Sequence, residues 1–112
     1  MTSVADEIQR REKAALEAIK KSLGTEDGEF GATLFADHHL EELDGAYWLK
    51  HLGTKTPLPA RVLDILVLSS HWGDDEHEME VFDFSLPDEV TDYVLSVRFD
   101  ESGAIDEISM ES

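Results

Sequence analysis

Apolar positions along residues 3–23 recur with a helical period. Val4, Ile8, Ala15, Ile19 and Leu23 fall on one stripe, with Ala5 and Leu16 beside it. Ser3 is placed to cap this helix, with Asp6 three residues on as its reciprocal partner. Lys20 and Lys21 fill the last turn and Gly24 follows as the C′ residue. The stripe lapses at residues 9–13, which are all polar, so the first two turns are expected to stand clear of the core and the helix to be peripheral. Residues 25–32, with three acids and two glycines, read as a loop, and 33–35 as a short extended piece. A second helix is expected over 38–52, capped by Asp37, ended by Gly53, with Leu40, Leu43, Tyr47 and Leu52 inward. Gly45 inside it costs about 1 kcal/mol relative to alanine and predicts a close helix contact. A third helix is expected over 57–69, capped by Thr56 with Pro57 at its first position. Its apolar run at 62–68 covers nearly every side, which suits a central helix.

From Glu78 the period changes to two. Strands are expected at 79–85, 92–99 and 104–110, with Tyr93, Leu95, Val97 and Phe99 on one face. The apolar phase slips between Val81 and Phe82, which signals a bulge or burial on both faces. The sequence at 100–103, Asp-Glu-Ser-Gly, is a hairpin turn. Three helices followed by a three-stranded antiparallel meander give an α+β fold. The 112 residues fit one domain with a core that needs no staples.

Charge changes what such a domain can bind. The formal net charge is −17. Residues 1–21 hold five basic residues against four acids, whereas the rest of the chain holds four against twenty-two. Phosphate backbones and anionic membranes are repelled by such a surface, and a basic protein is its natural partner. Crowding of acids over 74–107 predicts carboxyl pKa values raised by mutual repulsion. With no cysteine there is neither a disulfide framework nor a thiolate metal site. Residues 1–13 lack the apolar run of a signal peptide, so a cytoplasmic protein is expected.

The stretch SHWGDDEHEMEVFDFSLP, from Ser70 to Pro87, gathers the most chemistry. His71, Asp74 and His77 are metal-ligand candidates, extended by Glu76 and Glu78. The two histidines lie six apart across Gly73, which matches no metal signature, so no cofactor is expected and 74–78 reads as a solvated connector. His71 and Trp72 would cover the end of the core. A second cluster, Asp37, His38, His39, Glu41 and Glu42, starts the second helix. Adjacent histidines diverge on a helix, so one is expected to pack and the other to meet solvent. His51 suits the cationic end of that helix. Ser69, Ser70, His71 and Asp74 supply the residue types of a triad but no nucleophile elbow, and no enzyme activity is expected.

Aromatic side chains interleaved with acids are the remaining theme. Exposed aromatics ringed by carboxylates anchor Arg- or Lys-rich partners. Trp48, next to an inward Tyr47, is the expected exposed anchor, together with Trp72. Glu41, Glu42, Asp44, Asp74, Asp75 and Glu76 complete the expected partner-binding set.

The order of HHLEEL at 38–43, HLGT at 51–54, VLDILVLSSHW at 62–72, FDFSLPDEVTDYVLSVRFDESG at 82–103 and a terminal ISMES resembles a bacterial family of small acidic proteins of unknown function. The likeness covers residues 30–112 and leaves the first helix outside. It implies a cytoplasmic bacterial protein and brings no catalytic residues. Such proteins look like immunity proteins, which neutralise a toxin. The expected function is therefore an immunity-type inhibitor of a basic toxin. The alternative is a housekeeping or metal-binding protein using the His71–His77 loop. The thin stripe of the first helix and the sheet edges leave room for a homodimer.

Overall fold

The computed structural model describes residues 4–72 and 80–111. Among the described residues four α-helices precede and pack on one face of a four-stranded antiparallel sheet, an α+β architecture. The helices are α1 (Val4–Ser22), α2 (Ala32–Glu42), α3 (Gly45–Leu52) and α4 (Pro59–Asp64). The strands are β1 (Val67–Trp72), β2 (Val81–Ser85), β3 (Val94–Phe99) and β4 (Ile105–Glu111), in the order β1-β2-β3-β4. Among the described residues no helix is long and apolar enough to cross a membrane.

The expected second helix is two. Leu43 turns extended, and Asp44 caps a fresh helix by accepting from the Tyr47 amide at 3.1 Å. Asp37 caps nothing and lies inside α2, which starts at Ala32 and makes the expected extended piece at 33–35 helical. Its buried residues are Ala32, Phe35, Ala36 and His39, a complete helical stripe. Gly45 is the first residue of α3, and a Cβ there would meet the Lys55 Cβ at 3.0 Å, so its close neighbour is a loop side chain and not a helix.

The third helix is shorter than expected. Leu58 precedes Pro59 and is held extended (φ −71°, ψ 153°), so the helix starts at Pro59 and not at Pro57. It ends at Asp64, and the apolar run continues as edge strand β1, a fourth strand. Short apolar runs suit helix and strand equally, and here pairing with β2 decides. A register shift between Leu68 and Ser70 marks a bulge in β1, whereas β2 pairs regularly with β3 and is buried on both faces.

Leu95, Val97 and Phe99 of β3 and Phe82 and Phe84 of β2 point toward the helices and meet Ile19, Phe35, Trp48, Val62 and Leu63. The second half of α1 belongs to this core through Ala15 and Ile19, so that half is not peripheral. At its first half, Arg11 lies over the Phe99 ring at 5.3 Å and both Arg10 and Arg11 reach the hairpin turn at Gly103. The capping role expected of Ser3 lies outside the described residues.

Candidate functional site: the outer face of the sheet

Four hydrogen bonds and one ring contact hold the β2–β3 connection against α2 and α3. Tyr47 Oη donates to the Pro87 carbonyl at 3.0 Å. Burial and the nearby Asp88 charge push the Tyr47 phenol pKa up to about 12, so it is a donor at any ordinary pH. Lys50 and His51 both reach Asp88 Oδ2, at 2.9 and 2.8 Å. The His39 ring spans from the Phe35 carbonyl to Thr91 Oγ1. His38 meets the Tyr93 ring edge-on at 4.9 Å. Of the adjacent pair, His39 is buried and His38 partly exposed. The connection needs tethering because Asp88 and Glu89 both sit at positive φ, 72° and 53°. Thr91 Oγ1 also accepts from the Tyr93 amide, so the Thr91–His39 pair closes a turn.

Within 74–107, Asp88 and Asp100 are lowered where crowding predicts raised values, and Glu7 outside that range is lowered as well. Hydrogen bonds from Arg10 and Arg11 bring Glu7 down to about 2. Lys50 and His51 lower Asp88. The Ser102 hydroxyl and the turn amides lower Asp100. In each case donors brought close by the fold outweigh the partial burial that would raise the carboxyl.

The candidate residues at 69–72 separate by strand alternation. Ser70 and Trp72 face outward, away from the helices, while His71 faces inward and stacks on Phe82 with ring centroids 5.4 Å apart. Ser69 Oγ donates to the Asp83 carbonyl at 3.1 Å. Ser70 and His71 therefore stand on opposite faces and form no catalytic pair. Of the expected core cover only His71 serves, because Trp72 lies on the other side of the sheet. Asp74, Asp75, Glu76 and His77 lie outside the described residues, among which no group of three metal-ligand side chains is assembled.

Trp48 is not an exposed anchor. It is 1 % exposed and is the largest side chain fully inside the core. The helix restart at Asp44 resets the phase of α3 and turns Trp48 inward and Leu49 outward, with Tyr47 at the margin. Glu41, Glu42 and Asp44 are exposed as expected but belong to the helical layer, whereas Trp72, half exposed, opens on the far side of the sheet. The expected partner-binding set is thus divided between two faces.

What the structure gathers instead is a concavity over β2, β3 and β4. Trp72, Asp83 and Arg98 form one end, with Ser96 and Ser109 on its floor. Asp92, Glu107 and Glu111 add three more carboxylates to its lining. Arg98 is its one cation, and among the described residues Arg98 makes no ion pair although Glu107 stands directly opposite it across the β3–β4 ladder. Trp72 Nε1 donates to Asp83 Oδ2 at 3.3 Å, and Asp83 Oδ1 is shielded from water without a partner among the described residues. No motif marks these positions. Their only signal is the polar phase at Ser96-Arg98 and Glu107-Ser109-Glu111, two residues apart.

Helices on one face of an antiparallel sheet, with an acidic concavity on the other, define a two-layer α+β protein. Comparison with protein-family models, curated proteins and solved structures gives no match.

Proposed function

We propose that this chain is a small acidic protein-binding domain of the immunity type, which captures and neutralises a basic toxin in the bacterial cytoplasm. The observation that supports this reading best is the outer sheet face, where a half-exposed Trp72 stands beside four carboxylates and one arginine that makes no ion pair among the described residues. A half-exposed tryptophan offers a large rigid contact, and truncating such an anchor costs about 2 kcal/mol or more of binding. The carboxylates act earlier, on encounter, because a net charge of −17 draws a basic partner from a distance. The resemblance to a family of small acidic bacterial proteins points the same way.

The test is to express the chain with the product of the adjacent gene and follow association across salt concentrations. The expected result is a stable complex whose association rate falls by roughly tenfold or more from low to high salt, with dissociation little changed. Trp72→Ala is expected to speed dissociation. No complex, or an association rate indifferent to salt, would sink the acidic-inhibitor reading.

A further inference from the structure

Register places Ser70, Asp83, Ser96 and Ser109 opposite one another in a single row across all four strands. Three short hydroxyl side chains and one carboxylate thus floor a shallow track across the outer face. Strands stand about 4.8 Å apart, so the row is about 14 Å long, the span of roughly four extended residues. The neighbouring row runs Trp72, Val81, Arg98, Glu107 and raises an aromatic wall at the β1 end of the track.

We propose that this track seats an arginine-bearing segment of the protein partner, with one guanidinium lying on the Trp72 indole and bonded to the Asp83 carboxylate. The inference rests on the basic-partner reading and names what that partner presents. Asp83 Oδ2 holds only the 3.3 Å bond from Trp72 and has acceptor capacity to spare, whereas Oδ1 is closed off from solvent. An N–H group arriving beside Trp72 adds a charge-assisted bond at Oδ2. Arginine suits the place better than lysine. Its planar guanidinium stacks on an aromatic face while its edge donates to a carboxylate oxygen, whereas an ammonium is a compact, strongly hydrated point charge. Glu107 and Glu111 flank the track and add attraction. The same charge turns away a second copy of this chain, whose own net charge is −17.

Two end-blocked pentapeptides, Gly-Arg-Gly-Arg-Gly and Gly-Lys-Gly-Lys-Gly, titrated into the full chain with amide shifts recorded, test this. The arginine peptide is expected to bind about tenfold more tightly than the lysine peptide, with shifts centred on β1, β2 and β3 around Trp72 and Asp83. Trp72→Ala is expected to erase the arginine preference, and Asp83→Asn to weaken both peptides. Ser109→Lys, at the far end of the track, places a competing cation there and should weaken the arginine peptide severalfold even if Asp83→Asn does not fold. Equal affinities, no binding of either peptide, or shifts centred on α2 and α3 overturn the proposal. Those outcomes leave room for the adjacent-gene product to bind elsewhere with a salt-dependent rate. Conversely, a seated arginine peptide without binding of that gene product refutes the immunity reading alone.

Discussion

His39 Nε2 lies 2.9 Å from Thr91 Oγ1 and joins α2 to the β2–β3 connection 52 residues later. The other ring nitrogen, Nδ1, is 2.7 Å from the Phe35 carbonyl, which can only accept. Nδ1 therefore carries the proton, and in the neutral ring Nε2 accepts from the Thr91 hydroxyl. The hydroxyl in turn accepts from the Tyr93 amide, so every group in the chain has its complement.

This bond has a pH consequence. Burial lowers the His39 pKa below 6.5, and the neighbouring His38 lowers it further, while the Phe35 carbonyl and Glu42 act in the opposite direction. The Tyr93 ring packs edge-on to it, with centroids 6.1 Å apart. The unfolded imidazole thus takes a proton before the folded one. Its contribution is complete above about pH 6.5 and is lost as the pH falls below it. Thermal midpoints should rise from pH 5 to pH 7.5, the reverse of what relief of acid crowding predicts. Each kcal/mol involved moves the midpoint by roughly 4–6 °C. His39→Gln should be less stable at pH 7.5 and show a flatter profile. A wild-type midpoint that falls over this range would refute the assignment.

The two tryptophans should separate stability from binding. Trp48→Ala empties the centre of the core and is expected to cost about 3–5 kcal/mol in urea unfolding. Trp72→Ala should cost about 1 kcal/mol or less, since half of the ring already meets water. Similar losses for both would mean that Trp72 is a core residue after all.

The restart of the helix at Asp44 should be measurable. Asp44→Ala removes the acceptor for the Tyr47 amide and is expected to cost about 1 kcal/mol. Asp44→Ser should recover most of the loss. Because α3 carries Tyr47, Lys50 and His51 to the β2–β3 connection, faster amide exchange at residues 88–91 should accompany Asp44→Ala.

Glu89 holds a left-handed conformation at φ 53°. A non-glycine residue there costs roughly 1–2 kcal/mol, partly offset by the greater freedom glycine has when unfolded. Glu89→Gly is therefore expected to stabilise the protein by about 0.5 kcal/mol, seen as a higher urea midpoint at unchanged slope. Gly53→Ala, at φ 73°, should destabilise it by about 1 kcal/mol.

Elemental analysis of untagged protein bears on the metal-binding alternative. The expectation is no stoichiometric zinc or nickel, because His71 faces the core side of β1 and stacks on Phe82. One metal ion per chain, lost in His71→Ala, would restore the His71–His77 loop as a site.

Local patterns determined much of this protein. The α+β order, the first helix, the inward face of β3 and the turn at Asp100–Gly103 follow from spacing and from glycine where φ is positive. Periodicity is a property of one segment and needs no partner to be legible. Tertiary structure decided the rest, because the competing local options were close in energy. The apolar run at 65–68 suits either a helix or a strand, and only the β2 ladder selected a strand for Val67 and Leu68. Asp44 and Gly45 could be tolerated inside one helix, and only packing of Trp48 against the core made the break the better solution. The outer face lay furthest from view. Ser70, Asp83, Ser96 and Ser109 are separated by thirteen residues at each step, and become neighbours only because hairpin register aligns four strands. Cross-strand neighbours are set by pairing between distant segments, which no single stretch of sequence encodes.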